Sequence, residues 1–375
     1  MKHHEWIRSY LFENQEQIVA DVIRLVEAQS TSARKDLAEA CADVLQSLVK
    51  ERLNAEPEQV YPQQERGRHM FYRIGSGRPK ALLLGHYDTV WDPDALPLVR
   101  EGNRLAGPGA YDMKYGLVGA IWAVKALQEH DLLDFSVGMF FNSDEELGSA
   151  TSRELVVHYA RQFENVLVLE GASGMDVKTA RKTLGRYHID IQGVAAHAGT
   201  NYSEGISAVL EAARLTEQIF AMTDLEKGTT LNVGTIQGGT KLNVIAAHAH
   251  LGIDLRAVTR KEAQRVHQAI YALKPTQDGI TLEISGGITR PPFEATPANM
   301  RLYAVAKAAA ADLGRELGHC MVGGGSDGNF TSDLGIPTLD GLGAVGDGAH
   351  ALHEHILIRE SLEHTAMLGN LLFKL

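Results

Sequence analysis

The feature that most limits the fold of this chain is an alternation of short apolar runs with stretches of helical spacing, interrupted once by a block of different plan. Residues 4–29 and 36–52 carry apolar side chains at helical spacing, and strand-like runs follow near 70–74 and 81–86. Residues 113–129 read as a helix, 135–142 as a buried strand, 151–163 as a helix and 166–170 as a strand. Alternation of this kind predicts an α/β architecture, a mostly parallel sheet flanked by helices.

The pattern changes near residue 183. RYHIDIQGV alternates polar and apolar residues, as a half-exposed strand does. ISAVLEAARLTEQIFAM has helical spacing, TLNVGTIQGG and NVIAAHAHLGIDLRAV read as two strands, KEAQRVHQAIYAL as a helix and ITLEISGGI as a last strand. The order β-α-β-β-α-β is that of a ferredoxin-like α+β domain. It fills residues 183–290, and the first pattern resumes after Pro291-Pro292 with 299–313, 318–322, 336–341 and a helix from about 357. The expected organisation is therefore a larger domain built from 1–182 and 291–375, with a smaller domain inserted at 183–290.

A net charge of −11 argues against nucleic acid or an anionic membrane as partner. An anionic substrate would have to be met by a few local cations. Cys41 and Cys320 are too few and too far apart for a disulfide framework or a zinc finger, which fits a reduced, cytoplasmic setting. The N-terminal stretch has no apolar signal core, and no run approaches membrane-spanning length. The glycine cluster at 323–325 lacks the Gly-Lys-Ser/Thr ending of a phosphate loop.

Polar residues cluster where the apolar strands end. LLLGHYDTVW runs three leucines into His86 and Asp88. In extended chain these two project from one face, just past the strand end where open α/β sheets bind ligands. A metal-binding His with a carboxylate to orient it would look like this; so would an edge His beside a turn-forming Asp. Asp112, in GPGAYDMKYG, is placed as a ligand or as a helix N-cap. Glu145 and Glu146 follow the strand 135–142, in a turn that would otherwise be a solvated acidic loop. Glu170 ends the strand VLVLE, where an unpaired charge would be costly. His350, His353 and His355 lie within six residues before the last helix. Together these groups make a set suited to two zinc-like ions bridged by a carboxylate and a water, with a spare carboxylate to take the water's proton.

The motifs HYDTV, GPGAYDMK, DEELGS, AAHAG, GGGSD and ALHEH, in this order, resemble the dizinc exopeptidases and deacylases that include glutamate carboxypeptidase, aminoacylase and acetylornithine or succinyl-diaminopimelate deacylases. The resemblance runs from about residue 15 to the end and is greatest to glutamate carboxypeptidase. It implies two zinc ions per subunit, with Co2+ or Mn2+ as substitutes. It implies metal ligands His86, Asp112 (bridging), Glu146, Glu170 and His353, with Asp88 behind His86, Glu145 as general base and a cis bond between Asp112 and Met113. His350 and His355 then take no part in metal binding. One departure from the family pattern is Tyr115, where a glycine is usual at the start of the helix; its side chain would narrow or cover the site.

The resemblance also implies a role for the inserted domain. His197 in VAAHAGT would polarise the scissile carbonyl and reach the site of a second subunit, making the protein a homodimer through this domain. Arg290 in ITRPPF, Asn243 in KLNVIA and Gly324 in GGGSD would bind a free carboxylate, for which the two-pronged arginine is suited. Lys178, eight residues after Glu170, stands where a lysine would meet a glutamate side chain, with Arg181 and Lys182 competing for that part. The expected activity is hydrolysis of the amide to a C-terminal amino acid, as in glutamate carboxypeptidase. The alternative is an N-acyl-amino-acid deacylase of the acetylornithine deacetylase or aminoacylase kind.

Overall fold

The structure is a computed structural model and describes residues 2–375. The chain divides into two compact units. The first runs through Ala180 and resumes with Ala295–Met321 and Ser326–Leu375; the second is Arg181–Glu294 with Val322–Gly325.

In the first unit, strands Gln59–Tyr61, His69–Gly75, Ser136–Asn142, Pro79–His86, Asn165–Val168 and Thr338–Leu339 lie side by side in that order. The last four are mutually parallel, and the first two are antiparallel additions at one edge. The leucine run explains why helices cover both faces. Leu83 packs on one face with helices Gln15–Glu27, Lys35–Leu53, Tyr115–Glu129 and Ile358–Lys374. Leu82 and Leu84 pack on the other, against Val156, Tyr159 and Ala160 of the helix Arg153–Ala160. A strand buried on both sides has no polar face, which is why its sequence does not alternate.

Parallel strands share a C-terminal edge, and register fixes what meets there. His86 pairs with Asn142, three residues before Glu145. Leu84 pairs with Val168, so His86 and Glu170 both lie two residues beyond that pair. Gly116, at the start of the helix Tyr115–Glu129, lies so close to this edge that a Cβ on it would sit 2.0 Å from the Leu169 carbonyl oxygen. Only glycine lets the helix approach the residue preceding Glu170 so closely.

Tyr115 does not narrow the site. It is 1% exposed, its ring lies in the core, and its hydroxyl is 3.0 Å from Thr365 Oγ1 on the C-terminal helix. The rotation of the helix Tyr115–Glu129 about its axis, set by its packing, turns Tyr115 toward the C-terminal helix and away from the sheet edge.

The second unit is the four-stranded antiparallel sheet expected from β-α-β-β-α-β. The strands lie in the order Thr230–Gly238, His248–Arg256, Leu184–Gln192, Thr281–Arg290. Tyr187, Ile189 and Ile191 pack against helices Ala208–Phe220 and Arg260–Tyr271, while Arg186, His188, Asp190 and Gln192 lie on the exposed face. Among the described residues no helix is long and apolar enough to cross a membrane.

His364, on the C-terminal helix, is fully buried, and its Nδ1–H donates to the Gly343 carbonyl at 3.1 Å. Burial, helped by nearby Arg315, pushes this imidazole down to about 4 from its ordinary 6.5. The unfolded chain therefore takes up the proton first as pH falls. Stability tied to this group is complete above pH 6.5 and is lost as the pH drops towards 4. His364→Asn keeps a donor near Gly343 and removes the titration. Between pH 6.5 and 4 its unfolding free energy, measured by urea denaturation, should fall by less than that of the wild type, the difference approaching about 3 kcal/mol. Parallel pH curves for the two proteins would refute this account.

Candidate metal centre

The site forms where the parallel strands end. His86 is 1% exposed, and its Nδ1–H donates to the Asp88 carbonyl oxygen at 3.0 Å, with an Asp88 carboxylate oxygen at 3.4 Å. That fixes the tautomer and leaves Nε2 with its lone pair pointing away from the strand. The fully buried Asp88 carboxylate also accepts the Ser32 hydroxyl at 2.7 Å and the backbone N–H groups of Glu145 and Glu146, each at 3.3 Å. One carboxylate thus orients the histidine and anchors the acidic turn.

Asp112 arrives by a separate route. Gly109, at φ 72°, turns the chain so that the Lys114 N–H reaches the Gly109 carbonyl at 2.8 Å, and the bond between Asp112 and Met113 is cis. The two Asp112 oxygens face different histidines: Oδ1 is 3.3 Å from His86 Nε2 and Oδ2 is 3.3 Å from His350 Nε2. A Glu170 oxygen lies 3.6 Å from His86 Nε2, and a Glu146 oxygen lies 3.1 Å from His350 Nε2. Ligand atoms of His86, Glu145 and Glu170 lie within 4.8 Å of one another, as do those of His86, Asp112 and Glu146.

His350, rather than His353, is the histidine brought to this centre. His353 is exposed, its carbonyl oxygen accepts from Arg104 at 3.2 Å, and it is in neither of the groups of ligand atoms that lie within 4.8 Å. His355 is half-buried in the strand His355–Leu357. Three histidines at irregular spacing in a loop have no periodicity to tell which way each points. His350 is aimed by a left-handed backbone, φ 61°, an uncommon state for a residue other than glycine.

One member of this region, Glu354, is not among the residues that the sequence pattern marks out. It is fully buried, and its carboxylate accepts the N–H groups of Gly109, Tyr111 and Asp112, each at 3.0 Å, and Trp91 Nε1–H at 2.6 Å. The available signal lies in ALHEH, where an acid sits among the histidines.

The electrostatics call for positive charge. Burial works against protonation of His86, but the Asp112, Asp88 and Glu170 carboxylates hold it well above its ordinary value. Hydrogen bonds to Asp112 and Glu146 push His350 up to about 10. Burial drives Glu146 up to about 7, with Asp112 adding to it, while His350 and His86 hold Asp112 low despite its burial. The crowded carboxylates thus favour positive charge between them. His86 Nε2 and Glu146 Oε1 are buried without a hydrogen-bond partner. Two ligand atoms about 2.1 Å from a common tetrahedral ion lie roughly 3.4 Å apart, close to the separations found here. Imidazole and carboxylate donors at these distances fit divalent ions.

In the second unit the short ladder of Ala196–His197 with Val244–Ile245 brings His197 beside Asn243, whose carbonyl accepts the Ala198 N–H at 2.9 Å. His197 Nδ1 accepts the N–H groups of Gly199 and Thr200, both at 3.1 Å, so its proton is on the exposed Nε2. Arg290, 3% exposed, ends the last strand of this unit against Gly325. Gly324 and Gly325 present carbonyl oxygens to Arg181 Nη1 at 3.3 and 2.9 Å. Lys178, in the first unit, is buried in the strand Val177–Arg181, its backbone paired with Asp340.

The model of the peptidase family M20/M25/M40 matches residues 82–374. Carboxypeptidase G2 from Pseudomonas sp. (strain RS-16) is 30% identical over 288 residues, covering 74% of this chain and 69% of its own. Succinyl-diaminopimelate desuccinylase from Delftia acidovorans is 26% identical over 351 residues, 86% of this chain and 88% of that one. A solved structure of the Bacillus subtilis YXEP protein, described as a dinuclear metal binding peptidase, superimposes with a TM-score of 0.71 at 16% identity, covering 96% and 97% of the two chains. With a family match across most of its length and a cation-demanding cluster at the edge of its parallel sheet, this chain belongs to the metal-dependent hydrolases of peptidase family M20/M25/M40.

Proposed function

We propose that the protein is a two-zinc amidohydrolase that releases a C-terminal amino acid, glutamate foremost, from an acyl or peptidyl group. The observation that carries this reading is Asp112, with one oxygen toward His86 and the other toward His350. Each histidine has its own second carboxylate, Glu170 and Glu146 respectively, so these residues would hold two divalent ions. Two divalent ions held there supply Lewis acidity, lowering the pKa of a water and polarising the substrate carbonyl.

The rest is done by the chain. Glu145, grouped with His86 and Glu170, takes the proton from the attacking water and returns it to the leaving amine nitrogen. Asp88 holds the backbone of Glu145 and the ring of His86, so base and ligand keep a common frame. His197, with its proton on Nε2, is a donor for the oxyanion that develops on the carbonyl. Arg290 and Asn243, with the Gly324 turn, take the free carboxylate. Lys178 takes the glutamate side chain in preference to Arg181, which donates to the glycine-turn carbonyls. Likeness to carboxypeptidase G2 supports release of a C-terminal residue. The alternative, an N-acyl-amino-acid deacylase, draws its support from the desuccinylase match over most of both chains.

Glu145→Gln should keep its metal, measured by atomic absorption, while kcat falls by roughly a thousandfold. A rate near that of the wild type would remove Glu145 from the role of base. His350→Ala should lose metal and activity, whereas His353→Ala should retain both within about twofold; the reverse would exchange their roles. In a panel of folyl-glutamate, N-acyl-glutamate, acetyl-ornithine and acetyl-methionine, the glutamate amides should be cleaved fastest. Arg290→Ala should raise KM for them by roughly a hundredfold. Preference for acetyl-ornithine would select the deacylase instead.

A further inference from the structure

We propose that Glu354 is a positioning residue that clamps three ligand-bearing segments into one frame; this rests on the metal centre described above. Its carboxylate is fully buried and is bonded on both oxygens. Oε1 accepts the N–H groups of Tyr111 and Asp112, and Oε2 accepts Gly109 N–H and Trp91 Nε1–H. Three of the four donors belong to the turn that carries Asp112. The fourth belongs to the segment leaving the strand that ends at His86. Glu354 itself closes a turn, its N–H donating to the Ala351 carbonyl at 2.9 Å, directly after His350. The backbone at Gly348 is tight against it as well, since a Cβ there would lie 2.8 Å from the Glu354 Cα.

The chemistry explains why a carboxylate is needed. Four N–H donors converge on one point, and a neutral side chain of the same shape has too few acceptors for them. An ionised carboxylate accepts through both oxygens, and charge-assisted bonds of this kind are about twice as strong as neutral ones. The bonds stop the Asp112 turn from rotating about Gly109, so each Asp112 oxygen keeps to its own histidine. They also tie that turn to the loop of His350, at the position next to where Arg104 donates to the His353 carbonyl. Glu354 touches neither water nor substrate in this scheme, and it acts through Asp112 and His350.

The test uses the full chain, stripped of metal and titrated with Co2+, whose visible spectrum reports ligand geometry, and with Zn2+ against a coloured chelator. Glu354→Gln turns an NH2 group toward one pair of donors and leaves them unpaired. It should fold, by circular dichroism, but bind metal roughly 10- to 100-fold more weakly. Its Co2+ spectrum should be altered, and kcat should fall while KM stays within about twofold. A purely structural carboxylate would lower the melting temperature of the metal-free protein and leave the Co2+ spectrum of the folded molecules unchanged. Should Glu354→Gln fail to accumulate, Trp91→Phe removes only the tie to the His86 segment and should shift the Co2+ spectrum with a loss of metal affinity of about three- to tenfold. A normal spectrum and normal affinity in whichever variant folds would overturn the role of Glu354 alone. A wild-type protein that takes up no cobalt would bring down the metal centre and this inference with it.

Discussion

Four carboxylates and two imidazoles brought together at one sheet edge repel or attract one another strongly enough to govern everything around them. Asp112, Glu146 and Glu170 each lie within 3.6 Å of a histidine nitrogen, and the raised His86 and His350 show how far the surroundings favour positive charge. Collecting like charges out of water is unfavourable unless cations or donors answer them. Asp88 and Glu354 are answered by backbone N–H groups, so they act as fixed anchors. The carboxylates between them, Asp112, Glu146 and Glu170, face the histidines in groups that could hold a metal ion.

The scaffold serves this arrangement through short-range geometry. Parallel register sets His86 beside Asn142 and two residues past the Leu84–Val168 pair, with no freedom to slip because both faces of these strands are buried. Gly116 lets a helix close on the Leu169 carbonyl, and Gly109 turns the chain into Asp112. Small residues at these two points keep the edge compact. In the other unit the tautomer of His197 is set in the same economical way, by two backbone donors from its own loop.

Elements with strong periodicity are legible in the amino-acid sequence. The run at 81–86, the strand at 135–142 and most of the β-α-β-β-α-β block carry their period in the residues themselves and fold close to the expected spans; the single strand expected at 243–258 is instead two, Val244–Ile245 paired with Ala196–His197 and His248–Arg256 in the main sheet. Residues just beyond a strand end, His86, Glu145, Glu146 and Glu170, are legible for the same reason: the strand gives them direction. The loop of His350, His353 and His355 is not. Its direction is set by a left-handed residue, by Gly348 and by Glu354, and none of these is a repeating pattern. Tyr115 escapes a reading of this kind too, because a helix start does not announce which side of the helix meets the sheet.

The chain alone therefore determined the two architectures, their order along the sequence and the chemical inventory of the centre, since hydrophobic period and residue type are local properties. Which histidine joins Asp112, which carboxylates act as anchors and which remain for the ion were decided only by the folded molecule. Those choices depend on the meeting of segments more than 200 residues apart, Asp112 with His350 and Glu354, and on the backbone donors that happen to face them there.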